Sequence, residues 1–544
     1  MNLPALPVGR LVDPGRRAVN EVLSLATITR AGLLRRESPL RAVGAATSVA
    51  RYGTLGGAGA AAAARDPDRV GLIDERGELT FAELDRRSGA VANGLIARGV
   101  KPGEGVAILA RNHRGFLDAT FGAAKCGARL VLLNTDFAGP QIREVCEREG
   151  ARALICDEEY TPLLEGFEPA LGRWRSWADS PGEDTLEHLI ESAGGAAPPS
   201  PSSKASLVIL TSGTTGTPKG AQRDEPHSLV PLAALFSKVP FRAHESTVIP
   251  APLFHSLGFA HLLAAQALGS TVVLRRRFDP EALLDDISGH RASAAILVPV
   301  MLRRVLALGR EAIDARELTS LRIIFLAGSQ LGAELCLRAT EAFGPVIYNL
   351  YGSTEVAYVT IATPEDLRVA PDCVGRPPRG VVVRLLDPDG KEVPAGDVGR
   401  IFVSNGFAFE GYTGGGGKEV IDGLMSTGDV GHLDAGGRLY IDGRDDDMIV
   451  SGAENVFPAE VEEELGRHPG IADAAVVGVP DEQWGQRLAA FVVPVAGVRL
   501  TPEEVQEHVG AHLARFKVPR DVHIVDDLPR NATGKILKRE LTAP

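Results

Sequence analysis

The spacing of apolar residues changes several times along the chain, and each change marks an element. From Thr80 to Gly99 it is helical. Leu84, Val91, Leu95 and Ile96 share one face, Thr80 and Glu83 form a capping box, and Gly99 closes the helix. Short uninterrupted apolar runs follow at Val106–Leu109, Leu130–Leu133 and Ala153–Ile155, with helical patterns from Phe116 and Ile142 between them. Strands without alternation are buried on both faces, so this β-α-β-α-β order predicts a parallel sheet. Beyond a Pro/Ser linker at 198–203 the alternation resumes, with strands predicted at Leu207–Leu210, Thr271–Leu274, Ala295–Val298, Ile323–Leu326 and Val346–Leu350. From Val381 to Val403 only turns separate the apolar runs (Pro388-Asp389-Gly390, Pro394-Ala395-Gly396), which predicts a β subdomain. After about residue 444, helices at Ala459–Leu465 and Pro502–Leu513 mix with strands at Ala475–Val477 and Ala489–Val493.

The first 50 residues differ from the rest. Arginines 10, 16, 17, 30, 35, 36 and 41 face only Asp13, Glu21 and Glu37. Asp13-Pro14 and Ser38-Pro39 read as helix starts, and Val19, Val22, Leu23, Ala26 and Leu33 recur at loosely helical spacing. Such a stripe either packs a terminal helix on the body or makes weak peripheral contact with an anionic membrane. Gly56 to Ala64, all glycine and alanine, reads as a joint.

Composition narrows the function classes. With 544 residues, 44% hydrophobic and 24% charged, the chain has room for three or four structural units and a large core. The net charge of -12 argues against a nucleic-acid coat protein. Cys126, Cys146, Cys156, Cys336 and Cys373 show no C-x-x-C spacing and read as buried reduced thiols of a cytoplasmic protein. No apolar run is long enough to span a membrane.

Chemistry concentrates where the strand at Ser206 runs into Thr211-Ser212-Gly213-Thr214-Thr215-Gly216-Thr217-Pro218-Lys219-Gly220. Glycines let backbone N–H groups converge on an anion, the hydroxyls add donors, and Lys219 adds a full charge. The order departs from the Walker pattern, because Lys219 follows Pro218 and precedes Gly220. The segment reads as a polyphosphate loop of another kind.

With Tyr351-Gly352-Ser353-Thr354-Glu355, Ser426-Thr427-Gly428-Asp429, Gly443-Arg444-Asp445-Asp446-Asp447 and Gly534-Lys535, this loop occurs in the order and spacing of the adenylate-forming (ANL) superfamily, which the chain resembles over about residues 70 to 540. That superfamily comprises acyl- and aryl-CoA synthetases, peptide-synthetase adenylation domains and beetle luciferases. The resemblance implies an α/β fold: a large N-terminal domain of two α/β sandwich subdomains plus a β subdomain, and a small mobile α+β C-terminal domain. The boundaries it suggests are an extension at 1–55, an AMP-binding domain at 56–443, a hinge at 444–447 and a C-terminal domain at 448–544.

The implied reaction is attack of a carboxylate on the α-phosphorus of ATP, giving acyl-AMP and pyrophosphate, then thioester formation with CoA. Two anions must meet, so the site must supply positive charge. By the resemblance, Thr211, Ser212, Gly213, Thr214, Thr215, Gly216 and Lys219 hold the leaving phosphates. Glu355 ligates Mg²⁺ and Thr354 contacts phosphate. Tyr351 stacks on adenine opposite Ala327, Gly328 and Ser329, while Asp429 and Arg444 bind the ribose. Lys535 reaches the forming adenylate, Asp446 is the hinge and Gly452 leads the loop that meets the thiol.

In Pro252-Leu253-Phe254-His255-Ser256-Leu257-Gly258-Phe259, His255 stands near where amino-acid-activating members place an aspartate, which disfavours an amino acid substrate. Phe254, Leu257, Phe259, Val298, Val300 and Met301 are candidates for an apolar acyl pocket, with Gly258 and Gly328 leaving room. Gly411-Tyr412-Thr413 followed by Gly414 to Gly417 resembles bacterial fatty-acyl members and implies a medium- or long-chain fatty acid. Transfer to a carrier-protein thiol and a luciferase-like oxygenase remain alternatives.

Overall fold

A computed structural model describes residues 14–35, 37–211, 219–223, 230–405, 409–413, 415–445, 449–451, 454–456, 458–481, 485–513, 517–531 and 534–541. Two mixed sheets form the body. The seven-stranded sheet runs in the order Phe409–Tyr412, Lys219–Arg223, Ser206–Thr211, Arg129–Leu132, Gly105–Leu109, Ala151–Cys156 and Arg173–Arg175, parallel except that Lys219–Arg223 is antiparallel to both its neighbours. The eight-stranded sheet runs in the order Thr360–Ala362, Ile347–Tyr351, Ile323–Leu326, Ala294–Leu297, Ser246–Val248, Thr271–Val273, Val70–Asp74 and Gly77–Thr80, parallel except at its two edges.

Successive residues of the inner strands serve different cores. Val106 and Ile108 point into the layer between the sheets, which they share with Ile296 and Phe325, while Ala107 and Leu109 point outward. Both faces are buried, which is why these strands read as unbroken apolar runs.

The first eight α-helices among the described residues are α1 (Pro14–Ala31), α2 (Pro39–Arg65), α3 (Phe81–Ala97), α4 (Arg114–Lys125), α5 (Gly139–Arg148), α6 (Leu186–Ser192), α7 (Val230–Lys238) and α8 (Ser256–Ala267). The capping box expected at Thr80 and Glu83 is formed: the Thr80 hydroxyl accepts from Glu83 N at 3.2 Å and Glu83 Oε2 accepts from Thr80 N at 2.7 Å. Ser38 caps α2, its hydroxyl accepting from Arg41 N at 3.3 Å.

The N-terminal helices are part of the body. Ile28 and Ala31 are buried, and Ala243 N donates to Ala31 O at 2.7 Å just after α7. The outer face of the pair still exposes Val22, Leu25, Leu40 and Val43. Gly56–Ala64, expected to be a joint, is instead the largely buried second half of α2. A Cβ on Gly56 would lie 3.0 Å from the Ala124 carbonyl carbon, so the missing side chain serves close packing against α4. The bend in α2 is at Gly53, whose φ of 76° no β-branched residue would adopt readily.

The expected β subdomain is an antiparallel sheet of Val382–Leu386, Gly399–Ser404, Leu424–Leu433 and Val420–Ile421, with Leu439–Arg444 paired to the long third strand. The C-terminal unit packs helices Pro458–Gly466 and Pro502–His512 on a sheet built around Ile471–Asp481 and Gly485–Pro494. No helix of the described residues is long and apolar enough to cross a membrane, and all five cysteines are free and buried.

Candidate active site

A cavity of about 3450 Å³ lies where the body, the β subdomain and the C-terminal unit meet. Lys219, His255, Gly328, Ser329, Tyr351, Thr354, Glu355, Asp429, Arg444 and Lys535 all border it, although they are spread over more than 300 residues of sequence. That volume is several times the roughly 300–1,000 Å³ of a typical small-molecule site, so it admits more than one ligand.

The strand Ile347–Tyr351 delivers the central motif at its C-terminal end. A Cβ at Gly352 would stand 2.1 Å from Ala357 O, so only glycine permits the turn that follows. Tyr351 donates its hydroxyl to Asp429 Oδ2 at 2.6 Å. Burial, together with the Asp429 carboxylate, pushes the phenol well above the usual tyrosine range. Asp429 is the register partner of Arg444 on the adjacent strand, so pairing of two strands sets an acceptor-only group beside a donor-only one. Burial raises the Asp429 carboxyl, against the opposing pull of the Tyr351 hydroxyl, Arg444, Lys535 and Lys418.

Glu355 is gripped on both oxygens. Tyr412 donates to Oε1 at 2.7 Å and Ser353 to Oε2 at 2.8 Å. Burial would raise its pKa, but the two hydroxyls and the charge of Lys418 bring it below the usual glutamate range. The result is an ionised hard-oxygen group with a neighbouring threonine hydroxyl, a donor set that fits Mg²⁺ bound with phosphate. Sequence reasoning missed the role of Tyr412 here, because 57 residues separate it from Glu355 and only sheet closure brings them together.

Lys219 begins the strand that pairs with Ser206–Thr211, and its Nζ lies 5.2 Å from the centre of the Tyr412 ring. Ser212, Gly213, Thr214, Thr215 and Gly216 lie outside the described residues, as do Asp446 and Gly452. Gly328 has φ of +97° and borders the cavity with Ser329 on the wall that also carries Tyr351.

Lys535 reaches the cleft from the C-terminal unit, in a turn closed by Asn531 N donating to Lys535 O at 2.9 Å. The turn is seated on the body: Gly534 lies against Val300, where a Cβ would approach to 2.3 Å, and Arg303 donates to Ala472 O at 3.2 Å.

His255 stands at the start of α8, with no capping bond from its side chain, beside Phe254 at 4.5 Å between ring centres. Burial lowers its pKa to about 4, so the imidazole is neutral, and its Nε2 has no hydrogen-bond partner among the described residues. Leu257, Phe259, Val298 and Val300 border the cavity as expected. Phe254 and Met301 do not; both are core residues, and the candidate acyl pocket is corrected accordingly. Nor does Gly258 leave room for a chain: a Cβ there would lie 2.5 Å from Pro252 O, so it accommodates backbone. Asn349, two residues before Tyr351, was also missed. It is buried, borders the cavity and holds Oδ1 without a partner among the described residues, an acceptor open to a ligand N–H.

The AMP-binding enzyme family matches residues 60–413, and the AMP-binding enzyme C-terminal domain matches residues 460–535. The chain is similar to a feruloyl-CoA synthase of Amycolatopsis sp (35% identical, covering 85% of this chain and 93% of that protein). It is also similar to the fatty acid–[acyl-carrier-protein] ligase ScoC of Streptomyces coeruleorubidus (31%, 88% and 94%). Among solved structures it resembles o-succinylbenzoate CoA synthetase from Bacillus subtilis in complex with its acyl-adenylate intermediate (28% identity, 90% and 98% coverage, TM-score 0.79). ATP-bound MatB from Rhodopseudomonas palustris is similar at 28% identity, 87% and 95% coverage and TM-score 0.78. With the two family models together covering most of its length, the chain belongs to the AMP-binding enzyme family, as an AMP-forming ligase of the acyl- and aryl-CoA ligase type that works with ATP, Mg²⁺ and CoA.

Proposed function

We propose that this enzyme activates a medium- or long-chain fatty acid as acyl-AMP and passes it to CoA. The observation that carries the reading is the shared cavity, which brings cationic, anionic and apolar walls together. Lys219, with the Thr211–Gly216 loop, receives the phosphates that leave as pyrophosphate. Tyr351 and Gly328-Ser329 bracket the adenine, Asn349 accepts from the base, and Asp429 with Arg444 fixes the ribose. Glu355 would hold Mg²⁺ and Thr354 would contact phosphate; the ion would neutralise charge that otherwise repels the carboxylate. Lys535 supplies positive charge to the attacking carboxylate and the bridging oxygen. His255 is uncharged and apolar side chains flank it, so the acid has no counter-ion for an α-ammonium group and an amino acid is rejected.

Lys535 occupies the approach that a thiol needs. The C-terminal domain, 448–544, therefore rotates about 444–447 between half-reactions, with Asp446 absorbing the motion and Gly452 leading the loop that replaces Lys535. The site of action is the cytoplasm, and weak membrane contact falls to the N-terminal segment, 1–55. Pyrophosphate release across fatty, aryl and amino acids tests the substrate class, and release confined to aryl acids would refute it. A second reading, delivery to a carrier-protein thiol, is supported by the Streptomyces ligase. Thioester yield with free CoA against a phosphopantetheinyl carrier separates the two.

A further inference from the structure

The cavity does not end at the catalytic residues. Beyond the catalytic residues the same cavity is also lined by α7, α8 and α2, and this part is its apolar arm. On α8 Leu257, Ala260, Ala264 and Ala267 line it at a three-and-four spacing along most of the helix, with Phe259, His261 and Leu263 beside them on the same broad face. At 1.5 Å per residue that face extends about 15 Å. Opposite it, α2 contributes Ala42, Ala46 and Val49 before the bend at Gly53 and Thr54, Ala58 and Ala61 after it, again one face of each half. Leu232 and Leu235 of α7 line the arm as well. Two helices from distant parts of the sequence thus line one space, and Lys535 lines the same cavity. Most of α2 precedes residue 60, where the match to the AMP-binding enzyme family begins.

The wall is held in place. Lys204 Nζ donates to Ala50 O and to Arg51 O at 2.6 Å, and Arg51 and Tyr52 donate to Pro198 O at 2.7 and 2.9 Å. Arg35 at the turn before α2 is bonded to Asp66 at its end, and His244 Nε2 lies 3.1 Å from the same carboxylate. These bonds tie α2 to the body along its length.

We propose that α2 is the specificity wall of this enzyme: its small side chains leave an apolar arm that takes the distal part of the acid's hydrocarbon chain, so that residues 42–61 set which chain lengths are used. The inference rests on the fatty-acid reading above and commits to the enzyme's own substrate as occupant, because the arm is continuous with the cleft in which the carboxylate reacts. Alanine at 42, 46, 58 and 61 leaves width for a chain, whereas a larger residue would fill it.

The test uses the full chain carrying Ala46→Phe or Ala58→Phe and compares kcat/KM for pyrophosphate release with hexadecanoate and octanoate. The hexadecanoate-to-octanoate ratio is expected to fall by about tenfold, the factor that corresponds to 1.4 kcal/mol and to roughly two buried methylenes. An unchanged ratio in folded variants overturns the wall. Wild-type enzyme that turns over neither acid overturns the fatty-acid reading and this inference with it.

A second measurement does not depend on either variant's turnover. All five native cysteines are buried, so maleimide labelling of an Ala46→Cys variant reports on position 46. With ATP and hexadecanoate present and CoA omitted, acyl-AMP remains bound, and labelling is expected to slow several-fold. Equal labelling with and without hexadecanoate, in enzyme that releases pyrophosphate from it, overturns the proposal.

Discussion

Tyr412→Phe removes one hydroxyl and leaves the ring that sits beneath Lys219, so it isolates the bond from Tyr412 to Glu355. In the native enzyme burial works to protonate Glu355, and the hydroxyls of Tyr412 and Ser353 with the charge of Lys418 hold it ionised, below the usual glutamate range. The sign follows from that balance. The carboxylate is present at neutral pH and is lost only as pH falls through its depressed pKa. Taking away the Tyr412 donor lets burial push the carboxyl up, so the acid limb of activity moves toward neutrality. A hydrogen bond to a charged group is worth about 1.5–3 kcal/mol, and partners that orient a metal ligand are worth roughly 10–100-fold in metal affinity or activity. Ser353 still holds the other oxygen at 2.8 Å, which places the expected effect at the low end, about tenfold in the Mg²⁺ concentration for half-maximal rate. The assay is pyrophosphate release at fixed ATP and acid, titrated with Mg²⁺ at several pH values. A folded Tyr412→Phe enzyme with wild-type Mg²⁺ dependence and an unmoved acid limb would refute the reasoning.

Lys535→Ala is expected to slow acyl-AMP formation by roughly 100- to 1,000-fold while supplied acyl-AMP is still converted to thioester, and equal loss in both steps would make the residue structural. Asp446→Pro should show the opposite pattern, keeping pyrophosphate exchange and losing single-turnover thioesterification, since a fixed φ blocks one of two domain positions; matched losses would end the hinge assignment. Arg87→Ala removes the guanidinium 2.7 Å from Asp118, a carboxyl only 1% exposed, and is expected to cost about 3–5 kcal/mol in denaturant unfolding. A loss below about 1 kcal/mol would show that Asp118 is already neutral in the native state. Glu355→Gln should raise the Mg²⁺ requirement further than Tyr412→Phe does, because a neutral amide is a poor ligand for a hard dication.

The sequence by itself determined the elements and the family. Uninterrupted apolar runs such as Val106–Leu109 and Ile323–Leu326 could only be strands buried on both faces, and the Thr80 capping box fixed a helix start, because both depend on neighbours in the chain. The loop before Lys219 was legible as chemistry from its own glycines, hydroxyls and charge, whereas the roles of the Tyr351–Glu355 turn, Asp429, Arg444 and Lys535 were legible only through the order and spacing of the motifs that resemble the family. Only the tertiary structure decided which side chains complete one another. Tyr412 holds Glu355, Tyr351 holds Asp429 and Gly534 seats on Val300 through contacts across strands and domains that leave no periodic trace in the sequence. The same reason explains the misreadings. An apolar residue beside a motif, such as Phe254 or Met301, faces core or cavity according to its rotation on the element, and a run of glycine and alanine is a flexible joint or a tightly packed helix according to what lies against it. For Gly56–Ala64 it is α4 that lies there, and the missing side chains bring the two backbones together.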